Sequence, residues 1–323
     1  MKSITKAVLS NEDIHNIVTE HFGKETRTLA IEELTGGFFN TAYLLTLDNH
    51  FKVVLKVSPP HNVKVLRCER NIMKSEIAVL QLLKQQTDIP VPEVYAYHSR
   101  MNPCDHDYFL MEYISGVPLD QLYEQLTQEE FNVINQHLGI LIKKIHNITG
   151  ASFGYIFSDK RRFNTWGDAF IAFIRDLILD AAEANIELPI DGTDLINLIK
   201  SKKAFLDTVR TPRLVHRDLW WGNIFIEPKT LKITGITDCE RSLFGDPLMD
   251  FVFGFVVDNK GFHNGYGHGS FSPDETERLN LYTVYSLLLI LVEGHYRQLK
   301  GNEQEEARVR QSLLEKLHHI ERN

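Results

Sequence analysis

Apolar positions recur with a period of two from about residue 29 to residue 57. They run through "LAIEEL", "GGFFNTAYLLTL" and "HFKVVLKV", with the turn residues "DNH" between the last two, and this predicts three short strands. The period then changes. "NIMKSEIAVLQLLKQQ" at 71–86 carries its apolar residues at helical spacing. The two prolines of "DIPVPEVYAY" hold the next segment extended and lead it into a strand. "HDYFLMEYI" at 106–114 completes a small sheet with one helix against it.

"SGVPL" at 115–119, with its Gly and Pro, marks a boundary, and beyond it the pattern is helical. "TQEEFNVINQHLGILIKKIHNITG" opens on a capping box, Thr127 to Glu130, and is expected to close at Gly150. "NTWGDAFIAFIRDLILDAAEANIEL" and "DLINLIKSKKAFLDTV" read as further amphipathic helices, and "NIFIE" and "LKITGITD" as two short strands. The last helix begins at Ser272 as N-cap, with Pro273 in the first helical position and Glu275 as the box partner. "DNKGFHNGYGHGSFSP" at 258–273, rich in Gly and His, reads as a mobile loop that could gate an acceptor, but its histidines lack metal-ligand spacing, which favours a plain loop. The expected fold class is α+β in two lobes. Residues 1–114 form a β-rich lobe and residues 115–323 a larger α-helical one.

Bulk properties narrow the function. A chain of 323 residues suits two lobes, and 43% hydrophobic with 24% charged residues is ordinary for a soluble globular protein. A formal net charge of −8 argues against a nucleic-acid partner and is compatible with a cationic ligand, although such an excess is commonly a solubility feature. Cys68, Cys104 and Cys239 are too scattered for a disulfide framework or a zinc site and fit a reducing, cytoplasmic setting. The N-terminus lacks an apolar signal segment, and the run "LYTVYSLLLILVEGHY" at 281–296 is too short to span a bilayer, so no membrane partner is expected.

Candidate chemistry comes in pieces. Gly36 and Gly37 at a strand-to-strand turn let the backbone approach a phosphate, although a Gly-Gly pair also makes ordinary hairpins. No Gly-Lys-Ser/Thr follows, which excludes a Walker A loop. Lys56 alternates with apolar neighbours in "VVLKV", so it either snorkels to an edge or meets a charged partner. Glu76 on the next helix is one such partner and Glu69 a rival, and each can equally be a solvated surface charge. In "LVHRDLWWGNIFI" at 214–226, Asp218 can accept a hydroxyl proton and Asn223 can offer a carbonyl oxygen to a hard cation such as Mg2+. Asp238 ends the second of two strands that follow, which would set it beside the loop. His216 reads as a scaffold that hydrogen-bonds loop backbone, and Trp220 and Trp221 as packing residues. Asp246 and Asp250 in "GDPLMD" have two readings. They are a helix N-cap and a brace for the loop, or, with Glu240, an acidic wall for a cationic substrate.

In this order the pieces resemble the protein-kinase-like fold, and within it the aminoglycoside phosphotransferase and choline-kinase-like family of small-molecule kinases. The matching stretches are "TGGFFNTAYLL", "VVLKV", "SEIAVLQLL", "IPVPEV", "FLMEYISGVPL", "VHRDLWWGN" and "ITDCERSLFGDPLMDF", spread over roughly residues 30–300. The resemblance implies ATP (or GTP) and Mg2+ as cofactors and a small-molecule hydroxyl as acceptor. It implies Asp218 as acid/base, Asn223 and Asp238 as metal ligands, and Lys56 and Glu76 on the phosphates. Gly36, Gly37 and Asn40 of the hairpin would cover the nucleotide. The backbone at Glu112 and Ile114 would bind its base, with Met111 packed behind.

Arg217 departs from the family, which often has a glycine there, and Cys239 stands where an aromatic is more usual. The "HRDLWWGN" loop is similar to the version in fructosamine kinases. A protein kinase would need a long activation segment after Asp238, and "GDPLMDF" follows too soon to leave room for one. Two other readings stand beside an antibiotic-modifying enzyme. One is a metabolic kinase of fructosamine, choline or homoserine type, and the other a silent nucleotide-binding module.

Overall fold

Strand β2 (Thr41–Leu47) alternates buried and half-buried residues along its whole length, as its apolar spacing requires of a strand with one face on a core. The next strand, β3 (Lys52–Val57), is buried from its second residue onward, because both of its faces are covered. In this computed structural model the described residues are 3–99, 106–157, 161–252, 256, 258–298 and 303–322. Cys104 lies outside them. Among the described residues, β1 (Thr28–Leu34), β4 (Val94–His98) and β5 (Tyr108–Glu112) join β2 and β3 in an antiparallel sheet of order β1-β2-β3-β5-β4.

A helix that the apolar pattern did not announce, α1 (Asn11–Phe22), is fixed by a Ser10–Asp13 capping box and buries Ile14, Ile17 and Val18 on one face of the sheet. The other face is covered by α2 (Ile72–Gln86), in the predicted place. Met73, Ile77 and Leu80 of α2 belong to the same apolar cluster as Ile134, Leu138 and Leu288 of the helical part. The larger core therefore runs through the boundary between the lobes.

The helical part begins after β6 (Val117–Pro118), which pairs with β10 (Ile224–Glu227), itself paired with β11 (Lys232–Ile236). Helix α3 (Leu119–Leu122) is short. Helix α4 (Gln128–His146) starts on the predicted Thr127–Glu130 box. It ends at His146 rather than at Gly150, whose N–H donates to the Pro212 carbonyl at 2.9 Å. Helix α5 (Trp166–Glu183) follows as predicted. "DLINLIKSKKAFLDTV" is two helices, α6 (Gly192–Ser201) and α7 (Lys203–Leu206), separated at Lys202. A small sheet of order β8-β7-β12-β9 is built from β7 (Phe153–Tyr155), β8 (Arg162–Phe163), β9 (Arg213–Val215) and β12 (Leu243–Gly245).

The stretch at 258–273 corrects an expectation. Within it lies a helix, α8 (Lys260–Tyr266), packed on α4. Two of its glycines, Gly261 and Gly265, allow close approach to α4. A Cβ on Gly265 would overlap the Gln136 carbonyl of α4, and one on Gly139 would overlap the Phe262 carbonyl of α8. The chain closes with α9 (Pro273–Tyr296), on its predicted Ser272–Glu275 box, and α10 (Glu303–Arg322). Among the described residues no helix is long and apolar enough to cross a membrane.

Candidate functional site

The His216–Asn223 loop leaves β9 and is held from below by Asp250, on a 3-10 turn at Pro247–Phe251. The Asp250 carboxylate accepts the backbone N–H of His216 at 2.8 Å and of Arg217 at 2.6 Å. It also contacts His146 Nε2 at 2.9 Å. These three partners satisfy a fully buried acid. Asp246 caps the same turn through the Leu248 N–H at 3.1 Å and accepts from Arg278 Nε at 2.8 Å and the Tyr282 hydroxyl at 2.6 Å. Neither acid has a surface to present, so an acidic wall built on Asp246 and Asp250 is corrected. Asp250 braces the loop, and Asp246 caps the turn that carries Asp250.

His216 is buried, and burial lowers its proton affinity. Its Nδ1 accepts the Asp218 N–H at 3.2 Å, which leaves the proton on Nε2 to donate to the Thr237 carbonyl at 3.0 Å. Asn223 Nδ2 donates to the Asp218 carbonyl at 2.9 Å, and the Thr237 N–H to the Asn223 carbonyl at 3.0 Å. Loop and Asp238 turn are therefore stitched side by side. Arg217 and Asp238 both sit at positive φ, 65° and 63°, a conformation that non-glycine residues keep when their surroundings enforce it. Trp221 packs on Tyr123 and Phe131, at 4.3 and 5.4 Å between centroids. Trp220 is 40% exposed, with its ring over Gly222, where a Cβ would collide with it.

Lys56 reaches from β3 into a cluster of three carboxylates. Its ammonium lies 2.7 Å from Glu76 and 3.0 Å from Glu240, and it also pairs with Asp238. Glu69 is not its partner: that carboxylate takes the Leu66 N–H at 2.9 Å and Arg297 at 2.8 Å. Ligand atoms of Glu76, Asp238 and Glu240 all lie within 4.8 Å of one another. Burial alone would push the Asp238 carboxyl up. The Lys56 charge and hydrogen bond, helped by His216 and Arg241, hold it below the usual carboxylate range. Burial pushes the Glu76 carboxyl upward, with Lys56 pulling against it. Glu240, expected on a substrate wall, instead serves Lys56 and accepts from Asn40 Nδ2 at 2.5 Å.

The Asn40 contact ties the glycine hairpin to the Asp238 turn. A Cβ at Gly36 would meet nothing within 4 Å, so this glycine leaves its backbone open to a ligand. Sequence reasoning missed the arm that seats the hairpin. Thr5 donates to the Phe38 carbonyl at 2.7 Å and Lys6 Nζ to the Asn40 carbonyl at 2.6 Å. Burial and the nearby Lys56 lower the proton affinity of Lys6. An isolated lysine in a polar terminus gives no signal of such a place.

At the hinge, Met111 pairs across β3 with Val54 and packs on the large core. The Glu112 N–H is committed to the Glu93 carbonyl at 2.8 Å, and Ile114 packs where Gly235 leaves room for it.

Asp218 stands out electrostatically. Burial, with Asp238 and Glu240 nearby, pushes its carboxyl up to about 7 against the opposing pull of Arg241. A carboxylate poised near neutrality is suited to taking a proton.

A sequence profile described as the phosphotransferase enzyme family (APH) matches residues 30–282. A 4-hydroxytryptamine kinase of Psilocybe cubensis is 22% identical over 277 residues, covering 76% of this chain and 72% of that protein. Several curated relatives of higher identity match over a shorter stretch, so that the chain spans about a quarter of their length (25% and 24%). Among solved structures, a candidate fructosamine-3-kinase of Thermobifida fusca YX-ER1 superposes with a TM-score of 0.67 at 17% identity, covering 97% of this chain and 100% of the other. The aminoglycoside phosphotransferase APH(4)-Ia, in complex with AMP-PNP and hygromycin B, superposes with a TM-score of 0.65 at 17% identity, covering 95% and 98%. These likenesses establish a kinase-like α+β fold.

Proposed function

The chain belongs to the phosphotransferase enzyme family, and from that premise we propose that it is an ATP- and Mg2+-dependent kinase acting on a hydroxyl of a small molecule. One observation carries this reading. Lys56, Asp238 and the loop bearing Asp218 and Asn223 converge from three separate segments on one place, which a chance set of polar residues does not do. Support for a small acceptor comes from a relative named as a 4-hydroxytryptamine kinase and a fold neighbour crystallised with AMP-PNP and hygromycin B.

In this reading Lys56, oriented by Glu76, binds the nucleotide phosphates. The glycine hairpin covers them, and the backbone near Ile114 and the side chain of Met111 receive the base. Asp218 orients the acceptor hydroxyl and takes its proton as the oxygen–phosphorus bond forms and the bond from the γ-phosphorus to ADP breaks. Asn223 and Asp238 would hold Mg2+, and the donor set fits a hard cation. The Asn223 amide is anchored through Nδ2, which leaves its oxygen as the donor, and three carboxylates surround a single ammonium. When bound, the ion neutralises phosphate charge. Because Asp218, Asn223, Asp238 and Lys56 are all present, the catalytic reading is favoured over a silent nucleotide-binding module. Cys68 and Cys239, both free among the described residues, suit a cytoplasmic setting.

Calorimetric titration with ATP, with and without Mg2+, tests the reading. Binding is expected to be strengthened by Mg2+ in the natural protein and insensitive to it in Asp238→Ala. ATP that fails to bind either protein would overturn it.

A further inference from the structure

Arginines gather on one cavity beside the candidate base. The cavity, of about 250 Å³, is lined by the segment leading into α2, by β7 and by residues just after Asp238. Arg67, Arg70, Arg161, Arg217 and Arg241 all line it. The acids in that lining have closer partners outside it, Glu69 in Arg297 at 2.8 Å (with Arg241 of the lining farther off at 3.8 Å) and Glu240 in Lys56 at 3.0 Å. Arg67, Arg161 and Arg241 each hold a carboxylate of their own, on Asp180, Asp176 and Glu293.

Arg217 differs. It is half-buried, its guanidinium lies over the Tyr285 ring at 4.7 Å, and no carboxylate pairs with it among the described residues. Withdrawing a guanidinium that lacks a carboxylate from water is costly, and the ring and hydrogen bond of a neutral Tyr285 offset that cost only in part. The arrangement has capacity for an anion. The N-terminus of α2 has the same sign: no side chain caps it, its first turn lacks an acid, and Asn71 and Ile72 line the cavity. Position links the cavity to the chemistry, because Arg217 immediately precedes Asp218 and Arg241 lies close enough to act on the Asp218 carboxyl.

We propose that this cavity takes an anionic group of the acceptor, a carboxylate or a phosphate, and that Arg217 and Arg70 bind it while the acceptor's hydroxyl meets Asp218. The proposal rests on the kinase reading above and makes the acceptor a hydroxyl-bearing anion, in place of the cationic substrate that an acidic wall would have served. A planar guanidinium suits either oxyanion, since it offers two parallel donors.

Two measurements test it. The first uses protein saturated with Mg–AMP-PNP, so that the nucleotide site is filled, and titrates inorganic phosphate and, separately, acetate at constant ionic strength. One or both anions are expected to raise the melting temperature. The rise should be lost in Arg217→Gln and reduced in Arg70→Gln, a change at an exposed residue that folding tolerates. Which anion acts separates phosphate from carboxylate. No rise with either, or an undiminished rise in both variants, overturns the proposal. The second follows ADP release with matched acceptors: glycerol 3-phosphate and 4-hydroxybutyrate as anions, glycerol as neutral, choline and hygromycin B as cations. Turnover is expected with an anionic acceptor, its KM raised tenfold or more in Arg217→Gln and partly restored in Arg217→Lys. Turnover confined to the cations would overturn the anionic acceptor while leaving the kinase intact. Failure of Mg–AMP-PNP to bind would instead sink the kinase reading.

Discussion

With its carboxyl pushed up to about 7, Asp218 is part protonated at neutral pH. A base must be unprotonated to act, so kcat/KM is expected to rise as pH increases through about 7 and then level off. A profile flat between pH 5 and 9 would remove Asp218 from that role. Asp218→Ala is expected to lower kcat by on the order of 10²–10⁴ while Mg–ATP affinity, measured by calorimetry, stays near its natural value. The same environment has a cost in stability. The folded carboxyl titrates near 7 against an ordinary value of 3.8, so between those pH values the folded chain holds a proton that the unfolded chain has released. Stability is fully retained below the lower value and is lost as pH rises through the upper one. Asp218→Asn should therefore be more stable than the natural protein at pH 8, by at most about 4 kcal/mol, and little different at pH 4. Urea melts at the two pH values check the sign.

Among the elements, the contact of α4 with α8 depends most on particular residues. Helices normally approach to 8–10 Å between axes because side chains keep them apart. Here Gly139 and Gly265 remove the side chains from the line of contact. Gly265→Ala is expected to destabilise the fold by about 2 kcal/mol, because its Cβ has a carbonyl rather than a flexible side chain in its way. Gly269, where a Cβ meets nothing within 4 Å, is the control: Gly269→Ala should be near neutral. If the two variants have equal urea midpoints, close packing is not the reason for the glycines. Composition made this segment look mobile, since the same residue type serves turns and tight packing and no periodicity in so short a helix tells them apart.

Across the whole molecule, one charge network joins distant parts of the chain. Arg297, just past α9, pairs with Glu69 ahead of α2 and with Glu293, and stacks over Phe39 of the glycine hairpin at 5.3 Å. Arg241 joins the network through Glu293. The carboxylate of Glu69 is buried, and burial raises its proton affinity. Arg297→Leu should cost on the order of 3 kcal/mol, since it strands that charge. Adding Glu69→Gln to the same chain should recover part of the loss. A double variant no better than the single would mean that Arg297 stabilises by packing instead.

Local order was legible in the sequence. The change of period from two to 3.6 placed β2, β3, α2, α4 and α9, and Thr127–Glu130 and Ser272–Glu275 marked helix starts, because backbone geometry and capping involve residues a few positions apart. Spacing within "VHRDLWWGN" likewise put Asp218 and Asn223 in one loop. Tertiary structure alone decided which charges meet. Lys56 could have paired with Glu69 or Glu76, and the choice turned on which face of α2 meets β3. Asn40 and Glu240 are 200 residues apart, Asp246 and Asp250 became buried supports, and five arginines came to share one cavity. A charge reads the same in sequence whether it faces water, a carboxylate or a ligand. Only the packing of distant segments fixes its dielectric surroundings and its partner, and with them its chemistry.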